Sequence, residues 1–249
     1  MTWNLVTYAD KKFEEKQNYL NSVALRYGIN PISYTRSGIE STDFYSQNKN
    51  LLDLEIGNGY WAWKPYIILD AMNKLNDGDT VFYADCGDMF HPDIVEYVDN
   101  LLDENDQCIL LVGGGKNGDL TKRDCFHYMD CDDEDYWRSN QLEAGVCIWK
   151  VSEESKKTVT EWLNYCCDPR IVTDDDNVCG KPNLAGFREH RHDQSILTNL
   201  AIRDGLNVDN GTLRNFVECN YEYWYERHEL TGYTLNRPID SFLIELKNA

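Results

Sequence analysis

"DTVFYADCGDMF", residues 79–90, is the stretch on which the reading of the fold turns. Thr80 to Tyr83 reads as a buried strand, entered from the turn "NDGD" at 76–79. The chain then becomes acidic at once, with Asp85 and Asp88 flanking Cys86 and Gly87. Buried carboxylates are costly unless paired, hydrogen-bonded or bound to a metal. The stretch therefore marks a central strand with a candidate site at its carboxyl end.

The neighbouring segments supply the rest of an α/β pattern. Upstream, "KPYIILDAMNKLNDGD" (64–79) places Ile68, Met72 and Leu75 on one helical face, with Pro65 in the first turn. Downstream, "HPDIVEYVDNLLDE" (91–104) reads as a helix entered through Pro92. At the start of the chain, "NLVTYA" (4–9), "KKFEEKQNYLNSVALRYG" (11–28) and "PISYT" (31–35) form strand, helix and strand, a βαβ unit. "CILLVGGG" (108–115) and "AGVCIWKV" (144–151) are further strands. "LTKRDCFHYM" (120–129) is a short helix, and "HDQSILTNLAIRDG" (192–205) a longer one. "SEESKKTVTEWLNYCC" (152–167) is a helix capped by Ser152 or Ser155. Residues 37–60 read as a long, partly helical connection, and 168–191 as loop. With no internal repeat and no low-complexity linker, the pattern predicts one α/β domain over 1–249.

Composition narrows the partners. The 249 residues carry a formal net charge of −19, which argues against nucleic acid and against an anionic membrane surface. An anionic ligand would need local cations or a metal. Sixteen Tyr and seven Trp suit flat-ring ligands such as sugars and bases, and equally fill cores. The start "MTWNLVTYAD" has no basic, apolar leader pattern, and no apolar run is long enough to span a membrane. Nine Cys without C-x-x-C spacing point to free thiols in a reducing, cytoplasmic setting. "NGT" at 210–212 matches a glycosylation acceptor that a cytoplasmic chain would not use.

Four clusters carry candidate chemistry. Asp85 and Asp88, with Gly87 allowing close backbone approach, suit a hard divalent cation that neutralises a diphosphate. The plainer alternative is that Asp85 caps a turn and Asp88 precedes a helix. "GGGKNG" (113–118) lacks phosphate-loop spacing and reads as a flexible turn. "NGYWAWKPY" (58–66) brings Lys64 to a helix start, where anions bind, while Trp61 and Trp63 also fit as core anchors. "EHRHDQSIL" (189–197) gathers His190, His192, Asp193 and Gln194 at a helix entrance, as a metal or acid–base site would. The alternative is that Asp193 only caps the helix.

As an ordered set, "GYWAWKPYIILDAMNKLNDGDTVFYADCGD", "LEAGVCIWK" and "HRHDQSIL" resemble small GT-A-fold glycosyltransferases of bacterial capsule and lipopolysaccharide clusters and of large algal viruses. The similarity runs from about Leu5 to Leu200. It implies a single Rossmann-like nucleotide-binding domain with a mixed, mostly parallel sheet flanked by helices. Residues 1–115 would form the nucleotide half and 116–249 the acceptor half. The implied activity is transfer of a sugar from a nucleoside diphosphate, UDP rather than GDP, to a glycan hydroxyl, with inversion. Thr7, Tyr8 and Ala9 would hold base and ribose. Asp85 would bind Mn²⁺ or Mg²⁺ and the diphosphate, with Cys86 and Gly87 alongside and His228 as a late metal ligand. Lys64 and Arg123 would balance phosphate charge. Glu143, Ala144, Gly145 and His192 would line the donor, and Asp193, with Asp88 second, would take the acceptor proton. The sequence departs from the usual D-x-D pattern, reading Asp85-Cys86-Gly87-Asp88, which leaves a metal-independent enzyme open. The competing classes are a sugar-nucleotide or glycan-binding protein without catalysis, and a metal-dependent phosphohydrolase.

Overall fold

A computed structural model describes residues 2–102, 106–209 and 211–218. Its strands are β1 (Trp3–Ala9), β2 (Asn30–Thr35), β3 (Thr80–Ala84), β4 (Met89–Phe90), β5 (Cys108–Lys116), β6 (Asn140–Lys150), β7 (Val208–Asp209) and β8 (Val217–Glu218). Six of them form one sheet in the order β2-β1-β3-β6-β5-β7, and β4 pairs with β8 beside it. β1 pairs in parallel with both β2 and β3, and β5 with β7. Among the described strands of the six-stranded sheet, β6 alone runs against its neighbours, β3 and β5. The expected mixed, mostly parallel α/β sheet is the one observed.

Helices cover both faces. They are α1 (Glu14–Arg26), α2 (Arg36–Glu40), α3 (Asp43–Leu52), the single turn α4 (Gly57–Tyr60), α5 (Trp63–Met72), α6 (Ile94–Leu101), α7 (Arg123–Tyr128), α8 (Glu134–Arg138), α9 (Glu153–Cys166), α10 (Pro169–Val172) and α11 (His192–Asp204). Side chains alternate along a strand, so β3 feeds two cores. Val81 and Tyr83 join the cluster under α5, α9 and α11, while Phe82 and Ala84 join Leu20, Val23, Ile94 and Val98 of α1 and α6. Burial of each such Val, Leu, Ile or Phe contributes roughly 1.5–3 kcal/mol. The buried strand is held in place from both sides.

Local chemistry explains the boundaries. Ser152 caps α9 and exchanges hydrogen bonds with Ser155, a complete capping box. The connection over 37–60 is more helical than its polar sequence suggests, because Thr35 and Thr42 each accept a backbone N–H and start α2 and α3. The three glycines at 113–115 are a correction to the flexible-turn reading. They lie within β5, and a Cβ on Gly113 would come within 2.8 Å of the Gln141 carbonyl. Close strand approach requires glycine at position 113.

β6 is irregular where the site will form. Leu110 of β5 pairs with Cys147 but Leu111 with Glu143, so Ala144, Gly145 and Val146 have no partner on β5. Val146 still pairs with Ala84 of β3. Such bulges bend a strand and redirect its side chains. Leu142 and Ala144 share one core with Cys147 and Trp149, a change of parity across the irregularity.

Candidate active site

The chain leaves β1 for β2 on one side and returns to β3 on the other, so the strand order reverses between β1 and β3. Open α/β sheets bind ligands outside the carboxyl ends of the strands at such a point. A cleft of about 700 Å³ opens there. Lys12, Phe13 and Lys16 come from the segment after β1, Trp61 from the turn before α5, and Asp85 and Cys86 from the loop after β3. A smaller cavity of about 260 Å³ shares Lys12, Lys16, Cys86 and Gly87 and reaches Asp88.

Asp85 sits where buried strand meets open cleft. Its backbone N–H donates to the Gly145 carbonyl at 2.9 Å, and its own carbonyl accepts from the Asp88 N–H at 2.9 Å. The Tyr83 hydroxyl donates to Oδ1 at 2.5 Å, and Lys64 Nζ stands 3.8 Å from the same oxygen. The Asp85 side chain is 45% exposed. A Cβ on Gly145 would lie 3.3 Å from Asp85 Oδ2 and 3.6 Å from Asp88 Oδ2. Gly145 thus leaves a space on which two carboxylates converge. Hard carboxylate oxygens are the donors that Mg²⁺ or Mn²⁺ takes. Among the described residues no group of three or more His, Cys, Asp or Glu converges in this way.

Lys64 is not an open helix-start cation. It is 3% exposed, donating to the Ala144 carbonyl at 2.9 Å and pairing with Asp193 Oδ2 at 3.0 Å. Burial alone would push its pKa down, but Asp193 and Asp85 more than offset this and hold it above the ordinary lysine value. Burial raises the Asp193 carboxyl, with Lys64 opposing. Asp193 does not cap α11, because Arg191 is the N-cap residue and no side chain caps that end.

The histidines of the same cluster are structural anchors. His190 Nδ1 accepts from the Lys122 N–H at 3.3 Å, so Nε2 carries the proton toward the Ile171 carbonyl at 2.8 Å. Burial drives its pKa well below 6.5. His192 Nδ1 lies 2.8 Å from the Val172 carbonyl, and its ring stacks with Trp61 at 5.5 Å. Gln194 accepts from the Ala144 N–H at 3.3 Å and fastens α11 to β6.

One cleft wall is conformationally unusual. Gly57, Asn58, Gly59, Tyr60 and Trp61 all have positive φ, between 53° and 96°. Each non-glycine residue in this left-handed region costs roughly 1–2 kcal/mol. The turn is nevertheless fixed: Trp63 Nε1 donates to the Gly57 carbonyl at 2.9 Å, and Asn58 Nδ2 reaches Asp10 Oδ2 at 3.3 Å. A Cβ on Gly57 would strike the Trp61 ring at 2.4 Å.

The other expected residues divide. Of Thr7, Tyr8 and Ala9, only Tyr8 lines the cleft, stacked on Trp63 at 3.8 Å; Thr7 and Ala9 are buried, Thr7 accepting from Gln17. Arg123 pairs with Asp132 at 2.7 Å beside the Trp137 ring. Glu143 pairs with Arg214. Ala144 and Gly145 present backbone to Lys64 and Asp85. His228 lies outside the described residues. Sequence reasoning missed Lys12, Lys16 and Tyr83. The two lysines flank Phe13, each 5.3 Å from its ring, and their position just past a strand end was the available signal.

No family model matches the chain, and no curated protein does. Among solved structures it is similar to a glycosyltransferase involved in glycosylation of the major capsid of PBCV-1, at 12% identity over 66% of each chain and a TM-score of 0.40. It is similar to mouse xyloside xylosyltransferase 1 at 10% identity over 84% of each chain, TM-score 0.46. It is also similar to the galactosyltransferase LgtC at 14% identity over 84% of this chain and 73% of that one, TM-score 0.44. These neighbours are glycosyltransferases. At TM-scores below 0.5 the likeness carries nothing about this chain's activity. Among the described residues no helix is long and apolar enough to cross a membrane.

Proposed function

We propose that the chain is a glycosyltransferase that moves a sugar from a UDP-sugar to a hydroxyl of a glycan. The observation that carries this reading is the cleft at the switch point of the sheet, with Asp85 as its fixed, half-exposed carboxylate. Aromatic rings, Lys12, Lys16 and the carboxylates of Asp10, Glu55 and Asp85 share this concavity, and Asp88 lines the smaller cavity beside it. A nucleotide sugar needs that combination: apolar surface for base and sugar, and positive charge for a diphosphate.

In this proposal Asp85 and Asp88 would be the residues that hold Mn²⁺ or Mg²⁺. When bound, the ion supplies positive charge against the leaving diphosphate. Lys12 and Lys16 add charge from the α1 side, which matters in a chain of net charge −19. Transfer with inversion requires a base for the acceptor proton. Asp193, which shares Lys64 with Asp85, is the carboxylate taken for that role. Burial raises its pKa, the direction a base working near neutral pH requires.

The test is product analysis with UDP-sugars and a panel of glycans. The proposal expects UDP and an elongated glycan, with turnover abolished in Asp85→Ala and the melting temperature retained. Release of phosphate or nucleoside monophosphate would replace it with a phosphohydrolase. Donor binding without UDP release, with every acceptor and with water, would leave a binding protein.

A further inference from the structure

Tyr83 is almost completely buried at the end of β3, yet it carries a hydroxyl. A buried phenol needs a hydrogen-bond partner, and this one is Asp85 Oδ1, at 2.5 Å. Lys64 Nζ approaches the same oxygen at 3.8 Å and lies 5.2 Å from the centre of the Tyr83 ring. Both groups therefore address one edge of the carboxylate from behind. Among the described residues, no hydrogen bond or ion pair reaches Oδ2, the oxygen that faces the space over Gly145.

We propose that Tyr83, backed by Lys64, is a positioning residue that locks Asp85 in one orientation and presents Oδ2 to a divalent cation in the cleft. The inference rests on the reading of the cleft given above. An aspartate with a half-exposed side chain turns freely about its side-chain bonds unless something holds it. The backbone bond to Gly145 fixes its Cα, and the charge-assisted bond from Tyr83 fixes its carboxylate plane. Lys64 is in turn held by Ala144 and Asp193, which ties the orientation of Asp85 to the irregular part of β6 and to α11. Partners that orient a metal ligand matter nearly as much as the ligand.

The experiment is Tyr83→Phe, read by binding rather than turnover. Free Mn²⁺ is followed by electron paramagnetic resonance, and UDP binding in the presence of Mn²⁺ by calorimetry. Tyr83→Phe is expected to weaken Mn²⁺ binding by about 10–100-fold. In an Asp85→Asn background the same change is expected to cause no further loss, because there is no carboxylate left to orient. The double variant Lys64→Met/Asp193→Asn, which replaces the buried ion pair by neutral groups of similar size, is expected to weaken Mn²⁺ binding in the same direction. Mn²⁺ affinity within twofold of the unsubstituted chain in Tyr83→Phe would overturn the positioning role alone. An equal loss with and without Asp85 would do the same, by showing a general structural effect. Failure of the unsubstituted chain to bind Mn²⁺ at all, while it still binds UDP, would overturn the inference and leave the donor reading standing. Failure to bind either would overturn both.

Discussion

Lys64 reads in the sequence as an exposed cation at a helix start, and folding places it under the site instead. The difference comes from residues far away in the chain: Ala144 and Asp193 supply its oxygen partners. Spacing along a helix cannot reveal a partner 80 residues downstream. Asp193 was legible as a candidate but not as a partner of Lys64. Asp193→Asn is expected to leave UDP affinity without added metal unchanged and reduce turnover by about 10²–10⁴-fold, the usual loss of a general base. Calorimetry with UDP, run beside the activity assay, checks this; a parallel fall in affinity would show that Asp193 serves mainly to hold Lys64. His190 yields a prediction about pH. Its pKa is lowered in the folded state, so below about pH 6.5 the unfolded chain binds a proton that the folded chain refuses. The contribution of neutral His190 is fully present above pH 6.5 and is lost as pH falls, by up to about 1.4 kcal/mol per pH unit. Denaturant titrations between pH 5 and 7.5 should show this slope, and His190→Gln should flatten it.

At the scale of elements, the strands and long helices were visible because apolar periodicity reports burial directly. β1, β3, α9 and α11 lie close to where the sequence places them. The turn at 57–61 was not visible, although Gly57 and Gly59 flag it. A left-handed run that includes Tyr60 and Trp61 contradicts local preference and exists only because tertiary contacts hold it. At Gly59 the obstacle is backbone: an added Cβ would sit 2.6 Å from Leu52 Cα and 2.8 Å from the Leu51 carbonyl, at a φ of 96°. Gly59→Ala should therefore destabilise the chain by about 2–5 kcal/mol, the sum of left-handed strain and overpacking. Urea titration measures it, and a change below 1 kcal/mol would mean that the turn adapts. The irregularity of β6 is a second element-scale feature that periodicity missed. "EAGVC" reads as an ordinary strand entry, whereas Ala144–Val146 step out of the β5 ladder and bring Gly145 against Asp85.

At the scale of the whole molecule, the sheet order fixes the place of the cleft and the sequence fixes its chemistry. The reversal between β1 and β3 brings together residues 8–16, 55–63 and 85–87, three segments whose adjacency no local pattern announces. In a chain of net charge −19 that cleft carries Lys12 and Lys16 beside Asp10, Glu55 and Asp85, so an anionic ligand there would gain from a bound cation. The central claim is that this cleft binds a uridine diphosphate sugar through Asp85. Its most direct test is a thermal-shift comparison of UDP-, GDP- and dTDP-sugars, with and without Mn²⁺, on the unsubstituted chain and on Asp85→Ala. A ligand at about 100 times its dissociation constant adds about 2.7 kcal/mol of apparent stability. The account predicts a Mn²⁺-dependent rise in melting temperature for a UDP-sugar that is lost in Asp85→Ala. No rise with any nucleotide sugar, or an equal rise in both proteins, would contradict it.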